Sequence, residues 1–211
     1  MRIISTNIGT ATTIEWNGKK EQTGIFKRPV EKPLILTKGD VYDDTIIDRV
    51  HHGGTHKACY LFSSDTYPYW KRLYPQLAWN WGMFGENLTV EHLDETTIRI
   101  GNIYQIGTAL VQISQPREPC YKLGIRFGNQ SVLKEFIAYG RPGTYVRVLE
   151  EGEVKKGDHI NLIEESQNPL TVQQFYSLIF QKEKSKELLG IFMQNTAVPQ
   201  YKKDRMQKYL Q

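Results

Sequence analysis

Residues 115–124, QPREPCYKLG, place Cys120 among basic side chains. Arg117, Lys122 and Arg126 surround the sulfur with positive charge, and nearby cations favour an ionised thiol. Pro116 and Pro119 hold the backbone in an extended, restricted path. A cysteine outside a disulfide ordinarily serves as a small buried hydrophobe. That role needs no cations, so the block reads as a functional thiolate, suited to nucleophilic chemistry or to ligation of a soft metal.

Three other stretches carry polar side chains in suggestive patterns. In DRVHHGGTHKACY, residues 48–60, His51, His52, His56 and Cys59 have the ligand types of a zinc site, but not the spacing of the usual fingers. A plain polar loop remains open there. So does a glycine turn that lets backbone approach a ligand, with His52 and Lys57 beside it. In WGMFGENLTV, residues 81–90, Gly82 and Gly85 permit a tight path, and Glu86 and Asn87 offer acceptors and amide donors. An asparagine at such a junction also commonly satisfies its own turn. The basic stretch YKKDRMQKYL near the C-terminus reads most simply as a solvated helix face.

The elements that must position these groups are mostly short strands. RIISTNIG opens the chain, and PLILTKGD follows a charged loop. TIRIGNIYQIGTALVQIS reads as three strands parted by Gly101-Asn102 and Gly107-Thr108, and GTYVRVLEEG and DHINLIE add two more. Many short strands with glycine turns indicate a barrel or sandwich. Two helices interrupt them. One is DTYPYWKRLY, with Asp65 or Thr66 as N-cap and Pro68 in the first turn; the other is NQSVLKEFIAYG, ended by Gly140. After Glu165 the pattern changes to three helical segments. Thr171 and Gln174 form a capping box for the first, with Leu170 stapled onto Phe175, and Pro199 opens the last. The expected organisation is a β domain over residues 1–165 and a three-helix domain over 166–211.

The 211 residues include 39% apolar and 24% charged side chains, those of a globular protein able to bury a core without disulfides. A net charge of +4 suits a basic pocket for an anionic ligand better than a nucleic-acid surface. With no export signal, no membrane-length apolar run and two cysteines, the expected location is the cytoplasm. Plentiful aromatic and apolar residues suggest a homodimer.

Taken together, VHHGGTHKACY, FGENLTV, QPREPCYKLG and VKKGDHINL resemble the MOSC domain family, named for the C-terminal part of molybdenum cofactor sulfurases. The likeness extends to its stand-alone bacterial, YiiM-like branch through the YPYW helix and the trailing helices. It implies a mainly β fold, a MOSC β-barrel with a few flanking helices, and a pyranopterin molybdenum cofactor. Cys120 matches the family cysteine, which implies a thiolate ligand to the metal. His52, Gly53 and Gly54 match the histidine-glycine block, Asn87 the second block, and Lys122 the basic residue after the cysteine. Lys57, Arg117, Lys122 and Arg126 are candidates for holding the cofactor's phosphate. His52 is a candidate proton donor.

The branch implies reduction of N-hydroxylated compounds, including base analogues such as 6-hydroxylaminopurine. No dinucleotide fingerprint is present, so electrons would come from a partner flavoprotein. A carrier of the cofactor, or of a persulfide on Cys120, would use the same thiolate. So would a non-catalytic module binding small phosphorylated ligands.

Overall fold

The computed structural model describes residues 1–47 and 53–210. Eight strands form one sheet in the order β12-β8-β9-β10-β6-β7-β1-β4. They are β1 (Arg2–Ile8), β4 (Arg28–Val30), β6 (Cys59–Ser63), β7 (Leu88–Glu91), β8 (Ile103–Ile106), β9 (Ala109–Pro116), β10 (Thr144–Glu150) and β12 (Ile160–Glu164). All neighbours run antiparallel except β6 and β7, which are parallel and therefore need the crossover that residues 64–87 provide. The sheet rolls on itself. An isolated bridge between Arg2 and His159 brings the start of β1 to the start of β12, and Ile160 N–H donates to Met1 O at 2.9 Å. Among the described residues no continuous ladder closes the roll, so the expected barrel is a sheet joined to itself at one corner.

Alternation explains which face is buried. Along β10, Thr144, Val146 and Val148 are buried while their neighbours are half-buried or exposed, the period of two that a strand dictates. Two smaller pairs complete the β structure: β5 (Leu34–Leu36) with β11 (Gly152–Val154), and β2 (Thr12–Trp16) with β3 (Lys19–Thr23). The β2–β3 hairpin occupies what the sequence suggests is a charged loop. Its turn is Asn17-Gly18, both at positive φ (50° and 72°), the geometry that two-residue hairpin turns favour. Only two of the three strands expected in residues 97–114 form. Ile98–Gly101 instead packs beside the C-terminal helices, with Val172 N–H donating to Ile98 O at 2.9 Å.

Six α-helices are described: α1 (Tyr67–Leu73), α2 (Tyr121–Phe127), α3 (Val132–Tyr139), α4 (Val172–Phe180), α5 (Lys186–Gln194) and α6 (Gln200–Met206). Thr66 stands at the N-cap position of α1 but makes no capping bond, its Oγ1 donating to Ser63 O at 2.9 Å, and Gly140, at φ 73°, ends α3. The capping box on α4 is complete, with Gln174 N–H donating to Thr171 Oγ1 at 3.1 Å and Thr171 N–H to Gln174 Oε1 at 2.9 Å. Leu170 and Phe175 are both fully buried, as the staple requires.

The core has two parts. An aliphatic cluster inside the rolled sheet runs on into α4, α5 and α6 through Val172, Phe175, Leu189, Phe192 and Met206. An aromatic cluster built on Phe62, Tyr67, Trp70, Phe84, Phe127 and Phe136 lies under α1, α2 and α3. No helix among the described residues is long and apolar enough to cross a membrane.

Candidate active site

Cys120 sits where β9 hands over to α2. It is the N-cap residue of that helix in extended conformation, and its thiol makes no capping bond. The helix α2 departs from the extended path that the sequence suggests for this block. Its interior glycine weakens the helical signal. Yet a Cβ at Gly124 would lie 2.3 Å from the Gln130 side chain, so only glycine lets Gln130 pack there and donate to Tyr121 O at 3.1 Å.

Two cavities meet at Cys120. A narrow one is lined by Thr23–Ile25, Lys27 and Asp44–Ile47, together with Tyr60, Asn87 and Arg117. A wide cleft of about 980 Å³ is lined by Gly53–Lys57, Gln115–Pro116, Glu118–Tyr121, Arg147 and three residues of α6, namely Tyr201, Lys202 and Arg205. Cys120, Lys57, Lys122 and Tyr145 line both. The half-buried thiol is thus the shared wall of a small pocket and an open cleft. Neither Cys120 nor Cys59 is in a disulfide. Cys59 lies 1% exposed inside the aliphatic core, where burial pushes its thiol far above the ordinary range.

The basic residues expected around the sulfur divide into two groups. Arg117, Lys57 and Lys122 are at the cavities. Arg117 is almost fully buried. Its guanidinium donates to Phe84 O and lies over the Tyr60 ring at 5.1 Å and the Phe136 ring at 5.9 Å. Burial opposes its charge, but Tyr60, Tyr145 and Cys120 outweigh that and hold its pKa above the ordinary value. Arg126 is outside both linings, one helical turn beyond Lys122, with its guanidinium 5.0 Å from the Phe26 ring centre.

The glycine-turn reading of residues 53–57 fits the described part. Gly54 adopts φ 88° and opens a short 3-10 turn, Thr55–Lys57, which delivers Lys57 to the site. His51 and His52 lie outside the described residues. His56 is engaged through Nδ1 by Arg147 Nη2 at 3.0 Å; because arginine only donates, the neutral ring carries its proton on Nε2. Burial, then the Arg147 charge, hold the His56 pKa below its ordinary value. Among the described residues no group of three His, Cys, Asp or Glu side chains could cage a bare metal ion.

Asn87 lines the narrow cavity but spends its amide on the fold. Its Oδ1 accepts from Tyr60 N–H at 3.2 Å, and its Nδ2 donates to Asp44 Oδ2 at 2.9 Å. Asp44 in turn accepts from Gly9 N–H at 2.8 Å and pairs with Lys27. The neighbouring Glu86 is fully buried, accepting from Tyr67, from Gly82 N–H at 2.9 Å and from Phe84 N–H at 3.1 Å. Gly82 and Gly85 both have positive φ, which lets this loop lie tightly against Ile25 and Lys27.

The C-terminal basic stretch is not the solvated face the sequence suggests. Lys202 has 3% of its side chain exposed and pairs with Glu118, two residues before Cys120; Arg205 reaches the same carboxylate at 3.5 Å. Burial and the charges of Arg205 and Lys57 pull Lys202 down to about 7, against the ion pair that holds its charge. The signal available in sequence was only charge on one helix face; the partner carboxylate is 84 residues away.

Known proteins resemble this chain in sequence and in fold. Residues 48–161 match the MOSC domain family, a segment containing Cys120, Lys57, Asn87, Arg117 and Lys122. YflK of Bacillus subtilis is 38% identical over 81% of this chain and 77% of its own length. A protein named "Reductase" from Gibberella moniliformis is 35% identical over 70% of this chain, a match that spans 27% of that protein. The crystal structure of YiiM from Geobacillus stearothermophilus superposes with a TM-score of 0.83 at 30% identity, covering 100% of this chain and 99% of that one. Sequence and fold agree, and the chain belongs to the MOSC domain family.

Proposed function

We propose that this protein is a molybdenum-cofactor-dependent oxidoreductase that reduces N-hydroxylated compounds, base analogues such as 6-hydroxylaminopurine among them. The observation that carries the reading is the placement of Cys120, a half-buried thiol shared by a narrow polar cavity and a wide cleft. Membership in the MOSC family and the likeness to a protein named as a reductase support it.

The residues present fit a metal that arrives on its own organic ligand. Such a group needs one soft donor from the protein, and Cys120 supplies it. Its anionic tail needs cations or N–H donors, and Lys57, Lys122 and Arg117 lie around the sulfur. When bound, the cofactor supplies two-electron reduction. The overall change is cleavage of an N–O bond: R–NHOH takes two electrons and two protons and gives R–NH2 and water. The electrons come from a partner flavoprotein.

The chain's own part is binding, orientation and proton supply. Tyr145 and Tyr201 give the cleft aromatic walls for a flat substrate. His56, fixed by Arg147 with its proton on Nε2, offers a hydrogen-bond donor from the cleft wall. His52 is proposed as the proton donor to the departing oxygen.

Metal analysis of protein made in a host that assembles the cofactor tests the assignment. Wild type and Cys59→Ser are expected to hold near-stoichiometric molybdenum, and Cys120→Ser to lose it together with N-reductase activity. Equal molybdenum in wild type and Cys120→Ser refutes Cys120 as the ligand. A persulfide on Cys120 in metal-free protein would identify a carrier instead.

A further inference from the structure

The wide cleft holds more positive charge than one thiol requires. With Lys57 and Lys122 assigned to the cofactor's tail, Arg147, Lys202 and Arg205 remain in its lining, where the carboxylate among the described residues is Glu118. Low-dielectric walls concentrate such a field and draw anions into the cleft.

Two of these cations come from α6, outside the segment matched by the family. Glu118 engages both, but only Lys202 closely. Its contact with Arg205 is 3.5 Å long, and 58% of the Arg205 side chain faces solvent. One carboxylate therefore serves two cations, and Lys202 remains buried beside the further charges of Arg205 and Lys57. A dianionic group would relieve this arrangement. Tyr121, Tyr145 and Tyr201 line the same cleft, and Tyr201 is fixed by donating to Gln115 Oε1 at 2.8 Å. Aromatic faces beside a cationic rim suit a flat heterocycle that carries a phosphate.

We infer that the cleft selects substrates bearing a phosphate monoester, so that the N-hydroxylated heterocycle is taken as a nucleotide in preference to the free base, with Lys202 and Arg205 binding the phosphate. The inference rests on the reading of Cys120 as the reductive centre, but the subsite is measurable without turnover. Cofactor-loaded full-length protein is titrated with AMP, adenosine and adenine as unreactive probes.

AMP is expected to bind about tenfold more tightly than adenosine, the worth of one or two charge-assisted hydrogen bonds. Added salt should shrink that ratio. Arg205→Gln, on an exposed side chain, should reduce it severalfold with adenosine affinity unchanged, and Lys202→Met should reduce it further. Should Lys202→Met fail to fold, Arg205→Gln still decides the matter. Equal affinities for AMP and adenosine, or no detectable binding of either, overturn the inference. So does an AMP preference seen only in cofactor-free protein, since the cluster would then hold the cofactor's own phosphate. Failure of the reductase reading shows separately, as absent molybdenum or absent N–O cleavage.

Discussion

The two cysteines differ in surroundings far more than in sequence. Cys120 lines an open cleft, whereas Cys59 is 1% exposed and its thiol is pushed up by burial. Alkylation of native, cofactor-free protein should therefore modify Cys120 first, and bound cofactor should protect it. Peptide mapping by mass checks this, and early labelling of Cys59 would contradict the placement. Lys202 gives a pH-dependent expectation. Its surroundings are Glu118, Arg205, Lys57 and Tyr201, and its pKa is drawn down to about 7. It is charged below that value and loses charge as pH rises through it. Between about pH 7 and 9 phosphate is already dianionic, so AMP affinity should fall over that interval in wild type and stay flat in Lys202→Met. The charge around Cys120 was legible because Arg117 and Lys122 are its sequence neighbours. Lys202 was not, because no local pattern reports a carboxylate that meets it only in the folded chain.

Helix α6 and the β2–β3 hairpin grip the Cys120 segment from two directions. Lys202 of α6 holds Glu118 on one side of the cysteine. On the other, Trp16 of the hairpin stacks on Tyr121 with ring centres 5.0 Å apart, and Tyr121 donates to Glu21. A stack of this kind contributes about 0.5–1.5 kcal/mol beyond its buried area. Trp16→Ala should therefore leave the fold intact and raise the alkylation rate of Cys120, while Trp16→Phe restores the slower rate. An unchanged rate in Trp16→Ala would show that the hairpin does not hold the segment. Elements with strong local chemistry were readable in advance: the Thr171–Gln174 box, the Gly140 stop and Pro68 in the first turn of α1 each act through adjacent residues. The hairpin was missed although Asn17-Gly18 announces it, because Lys19, Lys20, Glu21 and Gln22 give its second strand almost no apolar alternation. Helix α2 was missed for the opposite reason. Its stop at Gly128 is plain, but Pro119 and Gly124 argue against a helix until Gln130 is seen packed on that glycine.

At the scale of the whole molecule, one apolar cluster ties the C-terminal helices to the rolled sheet. Phe175 and Phe192 are fully buried with ring centres 4.9 Å apart. Phe175→Ala should cost about 3–5 kcal/mol and destabilise the sheet along with the helices, seen as one unfolding transition at lower temperature. The same union places the cations of α6 opposite those of the 3-10 turn and β10, so folding itself builds the positive cleft. Screening that charge should stabilise the cofactor-free protein, and a specific anion should do so more than a non-specific one. Phosphate at ten times its dissociation constant contributes about 1.4 kcal/mol to the folded state. For a chain of this size that corresponds to a rise of about 3–5 °C in Tm. Thermal melts in low-millimolar phosphate and in sodium chloride of matched ionic strength should separate the two effects. Wild type should gain several degrees more in phosphate, and Arg205→Gln should lose most of that difference while keeping the smaller response to chloride. Equal shifts in the two salts would mean that the cleft's charge is dispersed into solvent and is not focused on a bound anion.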